Sequence, residues 1–179
     1  LKEMGGYKPI QFNIENFNGG VGYDKKCYKD GFVFATNKRA AVRLKANYDY
    51  DKKLEGKCDY ETIFETSDKG EKWLLNKKVL SECIEDYYYK KTANDDVFLS
   101  MIVLNKGDYN KCLDFQDAQL LLSFMEKFGV DEVVFEMGTG KKPDRLLCLS
   151  DDNVFACVLN DKKNISFKDD MYFYGLYLE

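Results

Sequence analysis

Apolar and polar residues alternate along several short stretches of the chain, which is the period of a half-buried β-strand. Residues 22–46 contain such stretches, separated by turn-forming breaks at 30–31 and 37–38, and this pattern predicts an antiparallel meander. Residues 97–104 are short, apolar and bounded by charged residues, which predicts a buried strand.

Two other segments carry the helical period instead. Over 115–128 one apolar stripe recurs at helical spacing, with Asp114 as a candidate N-cap and Gly129 as a C-terminal stop. The stripe consists of Leu121, Phe124, Met125 and Phe128. A second helix is predicted over 77–91, with Asn76 as its N-cap.

The order of elements in the second half of the chain indicates the fold class. The helix over 115–128 is followed by three strand candidates at 132–137, 145–149 and 154–159. An apolar and aromatic run over 171–178 predicts a further strand, either buried or at a sheet edge. We therefore predict an α+β fold with a mostly antiparallel sheet and one or two helices packed on one face.

The amino-acid composition disfavours some classes of function. Apolar residues make up 45% of the 179 residues, enough for a core, and no apolar run approaches the length of a membrane span. The formal net charge of −4 disfavours a surface that grips nucleic acid everywhere, although a local basic face stays possible. The six cysteines are scattered without a CxxC pair, which favours buried thiols in a reducing, cytoplasmic setting.

The sequence offers no catalytic, cofactor or metal constellation. It contains no histidine, which removes the usual nucleophile triads and mixed cysteine–histidine zinc sites. Residues 138–142, Gly-Thr-Gly-Lys-Lys, lack the first glycine and the final hydroxyl residue of a phosphate-binding loop, so an exposed hairpin turn is the better interpretation. We therefore predict a protein that is not an enzyme and that carries no cofactor and no metal.

Two stretches together resemble the domain of a bacterial DNA sliding clamp. Ala-Thr-Asn-Lys-Arg at 35–39 stands where that family has a motif close to Ala-Thr-Asp-Gly-His-Arg, and alternation continues over 41–44. Leu-Asp-Phe at 113–115, the Val-rich segment at 131–135 and the strand at 154–159 are similar to the other half of a clamp domain. Asn37 and Arg39 depart from the family pattern, in the places of its acid and its histidine.

The resemblance implies one clamp-like unit over residues 1–179. It would be made of two half-motifs, about 9–91 and 97–160, followed by the C-terminal strand at 171–178. Since clamps close a ring from six such units, a single unit would either assemble through its edge strands into a homo-oligomer or act as something other than a ring. The implied partners are DNA and a peptide of a replication protein, with no membrane.

The resemblance also leads to two sets of candidate residues. The candidate nucleic-acid contacts are Lys38, Arg39, Lys77, Lys78, Lys90 and Lys91. The candidate partner groove consists of Cys157, Val158 and Leu159. The predicted function is that of a clamp-like DNA replication accessory or processivity factor. The alternative is a stand-alone α+β protein-interaction domain with no nucleic-acid role.

Overall fold

The computed structural model describes residues 12, 27–37, 39–46, 64, 72–93, 98–107, 109–136, 138, 144–161 and 171–178. The strands within this part are β1 (Cys27–Lys29), β2 (Phe32–Thr36), β3 (Ala40–Lys45), β4 (Lys72–Asn76), β5 (Phe98–Lys106), β6 (Tyr109–Asp114), β7 (Glu132–Glu136), β8 (Arg145–Ser150), β9 (Asn153–Val158), β10 (Asn160–Asp161) and β11 (Met171–Tyr177). The helices are α1 (Lys77–Ala93) and α2 (Phe115–Phe128). Neither helix is long and apolar enough to cross a membrane.

The strands form two sheets. The large sheet has the order β1-β2-β3-β9-β8-β7-β4, with every neighbouring pair antiparallel. The small sheet has the order β10-β6-β5-β11, and β11 runs parallel to β5 at its edge. The α+β class with a mostly antiparallel sheet and packed helices is therefore confirmed.

Local sequence explains the meander at one end of the large sheet. Asp30 and Gly31 have φ values of 54° and 85°, so this two-residue turn has the left-handed backbone that Asp-Gly favours in tight hairpins. Lys29 consequently pairs with Phe32, and β2 pairs with β3 after the break at 37–38. Strand β3 then pairs with β9, which joins the meander to the rest of the sheet.

Both helices begin at the caps that the sequence predicts. The Asp114 carboxylate accepts from the Gln116 backbone N–H at 2.8 Å, and Asn76 does the same for the Lys78 N–H at 2.8 Å. Helix α2 ends at Gly129, whose φ of 66° is left-handed and whose N–H donates to the Met125 carbonyl.

The two helices connect the sheets in a reciprocal way. Helix α1 leads from β4 of the large sheet to β5 of the small sheet, and α2 leads from β6 of the small sheet to β7 of the large sheet. The strand before each helix pairs antiparallel with the strand after the other, β4 with β7 and β6 with β5. The repeated unit in this pairing spans 72–106 and 109–136. The broader division of the chain at 9–91 and 97–160 stays a prediction.

The core lies between the sheets and the helices. Its main cluster takes buried side chains from both sheets and both helices, and α2 contacts strands of each sheet. The largest fully buried members include Phe124, Phe135, Phe155, Leu80, Ile84, Ile102 and Leu104. A separate cluster covers the opposite face of the large sheet, where Phe34, Ala41, Phe64, Leu147, Val154 and Ala156 pack together.

The chain passes from the large sheet to the small sheet at Leu159, between β9 and β10. The Leu159 N–H donates to the Asp144 carbonyl at 3.0 Å, and Lys111 Nζ of β6 lies 2.7 Å from Asp144 Oδ2. Both of these charged side chains are mostly buried, with 14% and 12% of their surface exposed. The crossing is therefore fixed by backbone and side-chain contacts to the same residue.

Candidate functional site

A buried carboxylate at the start of α2 organises the most polar part of the core. Asp117 lies in the first turn of the helix and is 1% exposed. Arg39 donates to it through Nε at 2.9 Å to Oδ2 and through Nη2 at 3.3 Å to Oδ1. Asn37 Nδ2 donates to Oδ1 at 3.0 Å. Three side-chain donors from the β2–β3 turn thus satisfy one carboxylate that lies 78 residues further along the chain from Arg39.

The β2–β3 turn is shaped so that these donors face α2. Asn37 Oδ1 accepts from the backbone N–H groups of Arg39 and Ala40 at 3.0 and 2.7 Å. The Asn37 N–H and the Thr36 hydroxyl both donate to the Ala40 carbonyl, at 3.0 and 2.7 Å. An asparagine suits this position because its amide oxygen closes the turn while its amide nitrogen stays available for Asp117.

Burial and hydrogen bonding act in opposite directions on the ion pair. Burial raises the pKa of the Asp117 carboxyl above its ordinary value, although the hydrogen bonds from Arg39 and Asn37 partly offset this effect. The hydrogen bond to Asp117 raises the pKa of Arg39, so the guanidinium stays charged. The N–H donors of Arg39 and Asn37 thus compensate part of the desolvation of the carboxylate.

Cys157 closes the cluster from the side of β9. Its Sγ lies 4.0 Å from Asp117 Oδ2 and 3.5 Å from the Val158 carbonyl. The thiol is 1% exposed, and burial followed by the neighbouring Asp117 charge raises its pKa well above the ordinary value. Cys157 is thus a protonated, sheltered thiol, which is the opposite of what a nucleophile requires.

The ion pair differs sharply in exposure between its two members. The Asp117 side chain is 1% exposed, whereas the Arg39 side chain is 44% exposed. The Nε–Nη2 edge of the guanidinium faces the carboxylate. The site can therefore present a partly exposed arginine whose orientation is fixed by the buried Asp117 carboxylate.

The structure describes only some of the predicted nucleic-acid contacts, so their grouping stays a prediction. Lys38 lies outside the described residues, and the side chains of Lys90 and Lys91 are not described. Lys77 is half-buried, and Lys78 is exposed with its Nζ 4.0 Å from Glu82 Oε1. The lysines at the two ends of α1 are about 20 Å apart, since a helix rises about 1.5 Å per residue. Arg39 lies at the first turn of the other helix.

The exposed helix surfaces carry charges of both signs. Among the described side chains they present Lys78, Glu82 and Tyr89 on α1 and Gln116, Glu126 and Lys127 on α2. Such a mixture produces little net attraction for a polyanion.

The predicted partner groove lies against the same cluster. Cys157 is 1% exposed and Leu159 is 4% exposed, so both belong to the core. Val158 is half-buried, and its N–H donates to the Arg39 carbonyl at 3.2 Å. Two candidate sets that appear unrelated in the sequence thus meet at Arg39, although a groove for a peptide stays a prediction that depends on Val158.

The sequence gives only a weak signal for the central residue. An acid in the first turn of a helix is usually explained by the helix dipole, and Asp117 satisfies that description. The sequence indicates that Asp117 faces the core through its position among the apolar residues at 115–125.

Among the described residues, no group of three or more histidine, cysteine, aspartate or glutamate side chains could hold a metal ion. Comparison of the chain with models of known protein families, with curated proteins and with solved structures found no match.

Proposed function

We propose that the chain is a non-enzymatic, clamp-like binding protein that acts as an accessory factor in DNA replication. The observation that carries the proposal is the reciprocal pairing of β4 with β7 and of β6 with β5 around two neighbouring helices. Two related halves that exchange strands in this way make a rigid frame with both helices on one side, which is the arrangement that the resemblance at 35–44 and 113–159 implies.

The helices are held together by a specific contact. Gln119 Nε2 of α2 donates to the Tyr88 hydroxyl of α1 at 2.5 Å, and the rings of Tyr87 and Phe115 meet at 4.7 Å between centroids. A paired helix layer supported by sheets offers a stable surface for a partner because its backbone does not need to be ordered on binding.

Edge strands supply the proposed route to assembly. Strand β11 lies at the edge of the small sheet and contains no charged residue and no proline, the features that usually prevent edge strands from pairing. Tyr177, near its end, is 80% exposed. We propose that β11 joins copies of the chain and that the assembled form binds DNA and a replication peptide in the cytoplasm. The buried thiols of Cys148 and Cys157, which form no disulfide, are consistent with a reducing compartment.

Size-exclusion chromatography with light scattering tests the assembly. We expect the wild-type chain to form an oligomer, and Tyr177→Lys to shift it toward the monomer because a charge at an edge strand opposes pairing. Tyr89→Lys is the matched control, since Tyr89 is 44% exposed on α1 rather than on an edge. A strict monomer at high concentration, or an equal effect of the two variants, would contradict assembly through β11.

DNA binding is tested by fluorescence polarisation with a labelled duplex over a range of salt. A clamp-like DNA protein should bind at low salt and lose affinity steeply as salt rises, because neutralising phosphates releases counterions. Absence of binding at low salt would exclude the DNA role.

A second function, a protein-interaction domain without a nucleic-acid role, is favoured by the mixed charge of the exposed helix surfaces and by the net charge of −4. An oligomer that does not bind the DNA duplex at any salt concentration would support this second function.

A further inference from the structure

We propose that Arg39 contacts a backbone phosphate of DNA and that Asp117 is the residue that positions its guanidinium for this contact. This inference rests on the proposed DNA role and adds to it the group that Arg39 contacts and the residue that positions its side chain. It is carried by the geometry of the ion pair and by the unequal exposure of its two members.

Among the residues that the structure describes, the core contacts of the Arg39 guanidinium involve one edge of the group. Its Nε and Nη2 atoms donate to the two oxygens of Asp117 at 2.9 and 3.3 Å. A guanidinium has further N–H groups on its end, and the 44% exposure of the Arg39 side chain leaves room for an anion to approach them. A phosphate can therefore bind without displacing Asp117, which avoids leaving a buried charge uncompensated.

Fixing the arginine in advance favours binding. A free arginine side chain loses rotamer entropy when it is held in one position. Asp117 and the closed Asn37 turn hold this side chain before any ligand arrives. The position also belongs to a turn supported by a rigid sheet, where binding residues commonly lie.

Attraction by net charge is not the basis of this contact. Asp117 neutralises Arg39, and the nearby Asp114 carboxylate also acts on the guanidinium. Asp114 therefore opposes an incoming anion, and the contact must depend on directed hydrogen bonds of the planar group. Lysine keeps the charge of arginine but cannot bridge two oxyanions with a planar fork, so Arg39→Lys separates the two contributions.

The test measures duplex affinity by fluorescence polarisation at low salt for Arg39→Lys and Arg43→Lys. Arg43 is the matched control because it lies on the adjoining strand and donates to the Asp152 carbonyl at 3.2 and 3.1 Å. We expect Arg39→Lys to weaken binding about tenfold, in the range of a lost charge-assisted bidentate contact, and Arg43→Lys to stay within about twofold. Equal losses for the two variants, or no loss for Arg39→Lys, overturn the inference.

A second variant tests the opposing charge. Asp114→Ser removes the carboxylate but keeps a good N-cap, so the helix start is retained. We expect this variant to bind the duplex about threefold more tightly than wild type, and Glu126→Gln, an exposed change on the same helix, to have a smaller effect. A gain no larger than that of Glu126→Gln contradicts a phosphate beside Arg39.

A measurement on the wild-type protein covers the case in which Arg39→Lys fails to fold. Phenylglyoxal modification with peptide mapping compares Arg39 with Arg43, in the presence and absence of the duplex. Selective protection of Arg39 by the duplex supports the contact, and equal reactivity with and without the duplex overturns it. Protection by a glutamate-rich peptide but not by the duplex also overturns it, in favour of an acidic protein partner.

The outcome is separable from that of the proposed function. A protein that assembles and binds the duplex equally well as wild type and as Arg39→Lys loses only this inference. A wild-type protein that neither assembles nor binds the duplex loses both.

Discussion

Helices α1 and α2 occupy equivalent places in the two strand–helix–strand units, yet they are buried to different extents. Aligned from their caps, Asn76 and Asp114, both helices bury the same positions. These are Leu80, Cys83, Ile84 and Tyr87 in α1 and Ala118, Leu121, Leu122 and Met125 in α2. The shared set is the face that each helix turns toward the core, as expected for two copies of one packing arrangement.

The difference lies on the adjoining face. The third residue of α2 is the buried Asp117, whereas the third residue of α1 is Val79, 39% exposed. Leu120 and Phe124 of α2 are likewise buried, whereas the equivalent Glu82 is exposed and Asp86 is half-buried. The same strand–helix–strand connectivity thus gives two differently buried helices. Helix α2 is central and has a wide buried surface, whereas α1 is peripheral and has a narrow one. Among the described residues, the buried Asp117 and its Arg39 and Asn37 donors belong to the central helix α2.

The largest effect expected from this difference concerns Phe124 and its equivalent Asp86. Phe124 is 0% exposed and its ring contacts Phe12, Phe128 and Phe155. Phe124→Ala should lower the free energy of unfolding by about 3–5 kcal/mol through lost burial and a cavity, and Asp86→Ala by less than about 1 kcal/mol. Urea denaturation followed by circular dichroism gives both values. Similar losses would mean that the two helices are equally buried.

Removing the arginine of the polar cluster should have the next largest effect. Arg39→Ala leaves the Asp117 carboxylate buried without its cation, and we expect a loss of about 2–3 kcal/mol at neutral pH, reduced from the fully buried case by solvent screening at Arg39. Arg39→Ala combined with Asp117→Asn should recover most of this loss, because the uncompensated charge is gone. Urea denaturation of the single and double variants measures both, and a double variant as unstable as Arg39→Ala contradicts the explanation.

The same variant should show a pH dependence of defined sign. The folded-state pKa of Asp117 lies above its ordinary value, so its ionisation lowers stability as pH rises through the folded-state pKa. Loss of Arg39 raises that pKa further. The deficit of Arg39→Ala relative to wild type should therefore be smaller at pH 4.5 than at pH 7. Urea denaturation at the two pH values checks this, and a deficit that shrinks with rising pH contradicts it.

The smallest expected effect concerns the hydrogen bond between the two helices. Tyr88→Phe removes the hydroxyl that accepts from Gln119 Nε2 but keeps the ring against Phe115. Because this contact is partly buried, we expect a loss of about 0.5–1 kcal/mol in the free energy of unfolding. Tyr89→Phe, on the exposed side of α1, is the control and should be neutral. Equal effects would indicate that the hydrogen bond between the helices contributes nothing measurable.

Helices and strands with a clear apolar period and recognisable capping residues could be predicted from the sequence. Helix α2 has its apolar stripe, Asp114 and Gly129 at the positions that the sequence indicates, and its bounds agree with the prediction. Strand β4 was missed because its residues, Lys-Trp-Leu-Leu-Asn, run directly into α1 and Asn76 both ends the strand and caps the helix. Strand β6 was missed because Asn110, Lys111 and Asp114 mask its apolar alternation.

Contacts between distant residues were beyond the reach of local patterns. Nothing near Arg39 indicates that its partner is an acid in a helix 78 residues away. The parallel pairing of β11 with β5 likewise depends on how the whole chain crosses between the sheets. The pattern over 171–178 could predict a strand there, but not which neighbour it would have.

The exchange of strands has a consequence for synthesis of the chain on the ribosome. Strand β5 meets its partner β6 almost at once, since the two are joined by a short turn at Gly107. Strand β4 can pair with β7 only after β7 has emerged from the ribosome, and β3 can pair with β9 only after β9 has emerged. The pairings of β9 with β3 and with β8 therefore form only after the nascent chain has reached residue 158, and until then the β1-β2-β3 and β8-β7-β4 parts of the large sheet stay unjoined. Until then the early strands have unsatisfied edges, which makes that interval the one most exposed to misassembly and most dependent on chaperones.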